Sequence, residues 1–260
     1  MGPCRQEAET LGMSHGRQAI WGMFLLAAVL LALSTQGCPQ GPSRGAVVFI
    51  FADGPAGAYD DAYPRLAARG WAGVALVNPT TIGRRGKLSE AECVILDRAG
   101  WDISSHGYRH DNPTLMTPEE LDLDLRLAHD WLTARGFARG ARHYAPPLQA
   151  NQAVRDAALR YFQTVLPGDS LSEWAVLPPG WIYDSHTTSE TCPWMELEAV
   201  IDHAREPGHV ICLNFHRIVL SGPVGLDTSV ARLDAIIDCI ASQGICVLTL
   251  SDLLDGSASP

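Results

Sequence analysis

Four short polar stretches in this chain stand directly behind apolar, strand-like runs: Asp53-Gly54-Pro55, residues 106–110, Pro146-Pro147-Leu148, and His216. In α/β folds ligands gather outside the carboxyl ends of strands, so side chains at these places are the first candidates for chemistry. Asp53 follows Val47-Val48-Phe49-Ile50-Phe51-Ala52, which puts a carboxylate at the tip of a buried strand; an Asx-type turn is the plainer reading of Asp-Gly. His106 and His110 are spaced so that one helical turn would bring both imidazoles to the same side, which suits a divalent cation. Two solvated surface histidines would have the same spacing. Together with Asp53, however, the two imidazoles make a facial set that leaves coordination positions open for water and substrate. Metal-assisted hydrolysis requires that open face, and the combination favours the metal.

These residues need a scaffold that delivers them to one place. From residue 46 onward, short β-branched or apolar runs alternate with helical patterns, the signature of a parallel sheet with crossover helices. Strands are expected at 46–51, 73–77, 102–105, 142–145, 163–166, 210–215 and 245–250. Ser89 with Glu92 forms a capping box that opens a helix ending at Gly100, and Thr117, Pro118 and Glu120 open a longer one ending at Gly136. In the latter, Leu121, Leu125, Ala128 and Leu132 share one face, which should pack on the sheet. Asn151 caps another helix. The last long helix is read at 229–243, with Leu233, Ile236, Ile237 and Ile240 inward and Gly244 as its stop. Residues 168–193, rich in Pro, Trp, Ser and Thr, read as a long loop over the site. Periodicity alone supports an α/β fold with a parallel sheet.

The order FxFxDGP, SHxxxH, a Pro-rich turn and LxxH (Leu213-Asn214-Phe215-His216) resembles the NodB-homology deacetylases of carbohydrate esterase family 4, over residues 46–254. The resemblance implies an irregular (β/α) barrel of about seven parallel strands and removal of N-acetyl groups from a polysaccharide. It implies Asp53, His106 and His110 as ligands of a divalent metal, Zn2+ first, with Co2+, Ni2+ or Mn2+ as alternatives. His216 would be the general acid, and the backbone N–H of Leu148 the oxyanion donor, since Pro147 has none. Tyr144, Pro146 and Pro147 would contact substrate.

The pattern departs from the family in one decisive place. Where the family carries its general-base aspartate this chain has Ala52, and the arginine that orients the base is missing, with Ala145 or Tyr144 in its position. Ala52 accepts no proton. Asp60, Asp61 and Asp111 are the nearby carboxylates, the first two expected on the exposed start of a helix. The resemblance therefore leaves three readings open: a deacetylase, an impaired carbohydrate-binding protein that keeps the metal, and a non-carbohydrate amide hydrolase on the same fold.

Composition bounds the partners. The chain has 260 residues, nearly half of them hydrophobic, enough for one domain with a full core. A formal charge of −10 and a single lysine, Lys87, give no footprint for nucleic acid. Residues 19–33 are an apolar run preceded by Arg17, a signal-peptide layout, with translation expected to start at Met13. Gly37-Cys38 resembles a lipobox. Cys38 would then carry a lipid anchor to a membrane, with plain secretion as the alternative. Residues 1–38 are thus an export segment, 39–45 a linker, 46–255 the deacetylase-like domain and 256–260 a tail. Export would permit a disulfide or two among Cys93, Cys192, Cys212, Cys239 and Cys246, although Cys212 reads as a buried apolar side chain.

Overall fold

The computed structural model of the protein describes residues 44–167, 177 and 181–256. The expected export segment with Cys38, the linker up to residue 43, most of 168–180 and the end of the tail lie outside the described residues. Among the described residues no helix is long and apolar enough to cross a membrane.

The core starts from β1, Ala46–Phe51, whose residues are all buried. Strand alternation splits it between two faces: Val47, Phe49 and Phe51 pack under the helices, while Val48, Ile50 and then Ala52 point into the concave side of the sheet. The strand β7, His209–Phe215, pairs with β1 along its whole length and alternates in step, with Phe215 stacked on Phe49 and Phe51 at 5.7 and 5.2 Å. A strand buried on both faces must read as a continuous apolar run, as β1 does.

Around this pair the sheet is parallel, in the order β5-β4-β3-β2-β1-β7-β6. The further strands are β2 (Val74–Val77), β3 (Asp102–Ser105), β4 (His143–Tyr144), β5 (Thr164–Val165) and β6 (Ile182–Thr187). Two short strands, β8 (Ile218–Val219) and β9 (Thr228–Ser229), pair apart from it, and β10 (Cys246–Val247) completes the set. The free edge of β1 is shared: β10 pairs with Ala46 and Val47, β2 with Ile50 and Phe51. The result is the curled, barrel-like parallel sheet expected, with its seven-strand path open between β5 and β6.

Helix α1 (Tyr63–Ala67) follows a π-helical turn at Ala58–Ala62 that carries Asp60 and Asp61, Asp60 exposed and Asp61 half-buried. Helices α2 (Glu90–Arg98) and α3 (Pro118–Ala134) both begin with complete capping boxes, at Ser89/Glu92 and Thr117/Glu120. In α3 the expected apolar face is buried, and Asp124 is buried among it. Helix α4 (Gln152–Ala158) is capped by Asn151, and α6 (Val230–Ser242) buries Leu233, Ile236, Ile237 and Ile240. All five cysteines of the described domain are free thiols, and Cys212 is fully buried.

Two expectations fail. The stretch 168–193 is not one loop, because β6 occupies Ile182–Thr187 and Pro193 opens α5, Trp194–His203. β6 is an edge strand held by six register pairs to β7 rather than by apolar side chains, so it carries little hydrophobic signal. The last strand is also shorter than 245–250. Thr249 and Asp252 exchange side chain and backbone hydrogen bonds at 2.9 and 3.2 Å, capping α7 (Leu250–Gly256) and ending the strand early.

α7 is tied to the amino ends of β3–β5 by a buried polar network. His143 bonds Thr164 Oγ1 at 2.7 Å and Ser251 Oγ at 2.9 Å, and Asp102 accepts the Ser251 N–H at 2.8 Å. Burial, with Arg142 and Arg139 adding to it, pushes His143 down to about 3. Between the ordinary value of about 6.5 and 3, the unfolded chain binds a proton that the folded chain refuses. Stability from this group is complete above pH ~6.5 and is lost as pH falls, by up to ~1.4 kcal/mol per pH unit. Asp102, whose carboxyl burial raises, works in the opposite direction and offsets part of this. Urea unfolding at pH 6.5 and pH 5 is expected to show a steeper loss for wild type than for His143→Gln; equal losses would contradict a neutral buried His143.

Candidate metal centre and active site

The sheet gathers Asp53, His106, His110 and His216 at the carboxyl ends of β1, β3 and β7, around a cavity of about 190 Å³. Ala52 N–H donates to Phe215 O at 2.8 Å, which locks the ends of β1 and β7 together and brings His216 into the same lining as Asp53. Asp53 itself has a positive φ of 66°, and Lys87 Nζ holds its carbonyl at 2.9 Å. A left-handed non-glycine residue at the head of a buried strand is a strained placement that the surroundings enforce, of the sort concentrated at functional sites.

Asp53 Oδ1 lies 2.7 Å from His110 Nε2 and 3.3 Å from His106 Nε2, and one ligand atom from each of the three residues falls within 4.8 Å of the others. Yet Oδ1 is buried and receives no well-aligned hydrogen bond. His106 Nδ1–H donates to Ala145 O at 2.8 Å, which fixes the tautomer and turns the Nε2 lone pair toward Asp53. Three atoms able to ligate a cation thus converge on one place. A tetrahedral cation with bonds of about 2.0–2.1 Å spaces its ligands by ~3.3 Å, so the residues fit a divalent metal with positions left open. Burial alone would raise the Asp53 carboxyl; the two imidazoles outweigh it and hold the group well below the ordinary carboxylate range.

The histidines converge by a route other than the one expected. Residues 106–110 are not a helical turn but a loop with left-handed backbone at Gly107 (φ 76°) and His110 (φ 64°). Gly107 is required there, since a Cβ would stand 3.0 Å from Asp124 Oδ2 as well as straining the backbone. That carboxylate accepts the Tyr108 N–H at 2.8 Å. From the other side the buried Asn78 amide donates to the carbonyls of His106 and Gly107, and Thr80 Oγ1 donates to Tyr108 O at 3.1 Å. Asn78 and Asp124 are thus the supports of the two imidazoles. Asp124→Ala is expected to weaken zinc binding by about 10–100-fold, while Asp124→Asn, which keeps an acceptor, retains most of it. Unchanged affinity in the alanine variant, measured by titration calorimetry, would refute this support.

The Pro-rich turn is only partly delivered to the cavity. Pro146 and Leu148 line it. Leu148 is left-handed (φ 60°) and 56% exposed, the centre of a tight turn closed by Gln149 N–H to Pro147 O at 2.7 Å. Pro147 is buried beside Gly107 and is not among the lining residues. Tyr144, expected to contact substrate, does not reach the cavity. Its ring is 1% exposed and stacks on Phe162 at 5.3 Å among Leu121, Leu125, Val154 and Val165, because it lies on the opposite face of β4. The alternative carboxylates do not reach it either: Asp61 pairs with Arg65, Asp111 is exposed beside Arg109, and among the described lining residues Asp53 is the one carboxylate. Tyr183, Asn214 and Leu226 line the cavity without having been singled out from the sequence.

Among solved structures the chain is similar to a peptidoglycan N-acetylglucosamine deacetylase (TM-score 0.57, 16% identity, 83% of this chain and 91% of that one). It is also similar to a family 4 carbohydrate esterase from Streptomyces lividans in complex with acetate (0.54, 16%, 78% and 91%). A third is a carbohydrate esterase family 4 pseudoenzyme from Bacillus anthracis (0.55, 17%, 83% and 67%). At such identities the likeness establishes the fold. No curated protein matches the sequence. The model of the polysaccharide deacetylase family matches residues 40–163, the segment holding Asp53, both histidines and the Pro-rich turn. Over those residues the chain is similar to the polysaccharide deacetylase family. Ala52 is 6% exposed and faces the concave side of the sheet beside Asp53, so an inward-facing methyl group stands next to the candidate centre.

Proposed function

We propose that the protein is a metal-dependent hydrolase that removes the N-acyl group, acetyl in the family at large, from an N-acylated polysaccharide. The observation that carries this reading is the convergence of Asp53, His106 and His110 on one cavity that His216 also lines. A divalent cation, zinc first among the candidates, supplies Lewis-acid polarisation of an amide carbonyl and makes water more acidic. The chain does the rest. Asp53, His106 and His110 would hold the cation. His216, half-buried in the lining of the same cavity, would hand a proton to the departing amine nitrogen. Leu148, at the mouth, is the candidate to present a backbone N–H to the carbonyl oxygen as charge develops there. Pro146 forms part of the adjoining wall. The apolar segment at 19–33 and Cys38 support a site of action outside the cytoplasm, on a lipid anchor or in secreted form.

Ala52 favours a second reading, in which the protein keeps the metal and the groove but turns over little or nothing, and a structurally similar protein is itself described as a pseudoenzyme. Release of acetate from acetylated chito-oligosaccharide by the zinc-loaded protein, beside its Ala52→Asp variant, separates the two. No release by either protein would sink the deacetylase reading for that substrate.

A further inference from the structure

Ala52, Leu76, Ala145, Leu166 and Tyr183 belong to one packed apolar cluster on the concave face of the sheet, and all five also line the cavity that holds the metal-binding residues. They form an apolar floor in this lining, beside Asn214, His216 and the metal-binding residues. Leu148 and Leu226 also line the cavity while 56% and 51% exposed, and the buried Pro146 and Pro167 add to its wall. Leu148 is held outward by a left-handed backbone that a leucine adopts only under constraint. Among the described lining residues Asp53 is the only carboxylate, and there is no lysine or arginine. The methyl group at position 52 is what lets the apolar floor run up to Asp53. Any carboxylate there would divide it.

An acetyl group offers one methyl to such a surface. A cavity of about 190 Å³ is larger than the ~150 Å³ apolar cavity that accepts benzene, so it has room for several more carbons. We propose that the site takes an N-acyl group longer than acetyl, of about four to six carbons, with its chain along Ala52, Leu76, Ala145 and Leu166 and its carbonyl at the metal-binding residues. This rests on the hydrolase reading and names the acyl class of its substrate.

The test uses straight-chain alkyl hydroxamic acids, from acetohydroxamic to octanohydroxamic acid, binding to the zinc-loaded full chain by calorimetry, which requires no turnover. Each methylene buried against the floor is expected to tighten binding by about fourfold, or roughly 60-fold from acetyl to pentanoyl, with a plateau once the cavity is full. Ala145→Leu and Ala52→Leu each fill the floor and are expected to flatten the series to under about threefold; two variants guard against one failing to fold. Affinity that is flat or falls with chain length, or a slope that persists in both variants, overturns the proposal while leaving the hydrolase reading standing. Absence of zinc binding overturns both.

Discussion

Replacing His110 with alanine is expected to weaken zinc binding by about 10²–10³-fold and to abolish any hydrolysis at ordinary zinc concentrations. The magnitude follows from structural zinc sites, in which ~10–16 kcal/mol of apparent binding energy is spread over four ligands, or about 3 kcal/mol each. His110 reaches the centre from a strained loop, and its Nε2 is the nearer of the two to Asp53 Oδ1, at 2.7 Å. No other described His, Cys, Asp or Glu completes a group of three there, so a lost ligand has no protein substitute. Asp53→Asn and His106→Ala should behave alike. If calorimetry gave all three variants the wild-type affinity, the metal would have to be bound elsewhere.

The second large effect runs in the opposite direction. Ala52→Asp is expected to raise amide hydrolysis by about 10²–10⁴-fold, the ordinary worth of a positioned general base. The position faces the cavity one residue before Asp53 and is 6% exposed, so an introduced carboxylate lands beside the reacting centre in an apolar setting. Burial there would push its pKa upward, toward the range in which a base works near neutral pH. It would also cost stability, about 1–3 kcal/mol, because the group enters a packed cluster with few partners. Initial rates of acetate release with zinc present check this. A rise from a measurable baseline marks the native protein as an impaired enzyme, and activity confined to the variant marks it as silent. The same substitution should shorten the preferred hydroxamate chain, since it divides the apolar floor.

Much of this architecture could be read in advance, for physical reasons that differ by element. β1 is buried along its whole length and β7 from Val210 to Leu213, so each carries a continuous apolar run, and α2 and α3 declare themselves through capping boxes that exist in the sequence as fixed spacings. β6 could not be seen because an edge strand draws its stability from the backbone ladder, which leaves no pattern in side-chain types. The cap at Thr249 was legible as Thr-x-x-Asp and was overridden by the β-branched run before it.

At the site, Asp53, His106, His110 and His216 followed from one rule, a polar residue directly behind an apolar strand. The same rule applied to β2 points to Asn78, which holds the histidine loop from below. Asp124 had a signal too, a carboxylate in the apolar face between Leu121 and Leu125. What could not be read was direction. Tyr144 and Ala145 are neighbours, and only the register of the short β4 decides that one ring packs outside while the next methyl group lines the cavity. Nor does spacing alone reveal that His106 and His110 meet through a left-handed loop.

The central claim is that Asp53, His106 and His110 together hold one divalent cation. Zinc K-edge absorption on the protein loaded to equilibrium and freed of excess metal tests it most directly. The predicted result is one zinc per chain, with two imidazoles and a carboxylate oxygen at about 2.0–2.2 Å and the remaining positions filled by light atoms. Substoichiometric zinc, or sulfur scattering at about 2.3 Å from one of the cysteines, would contradict it.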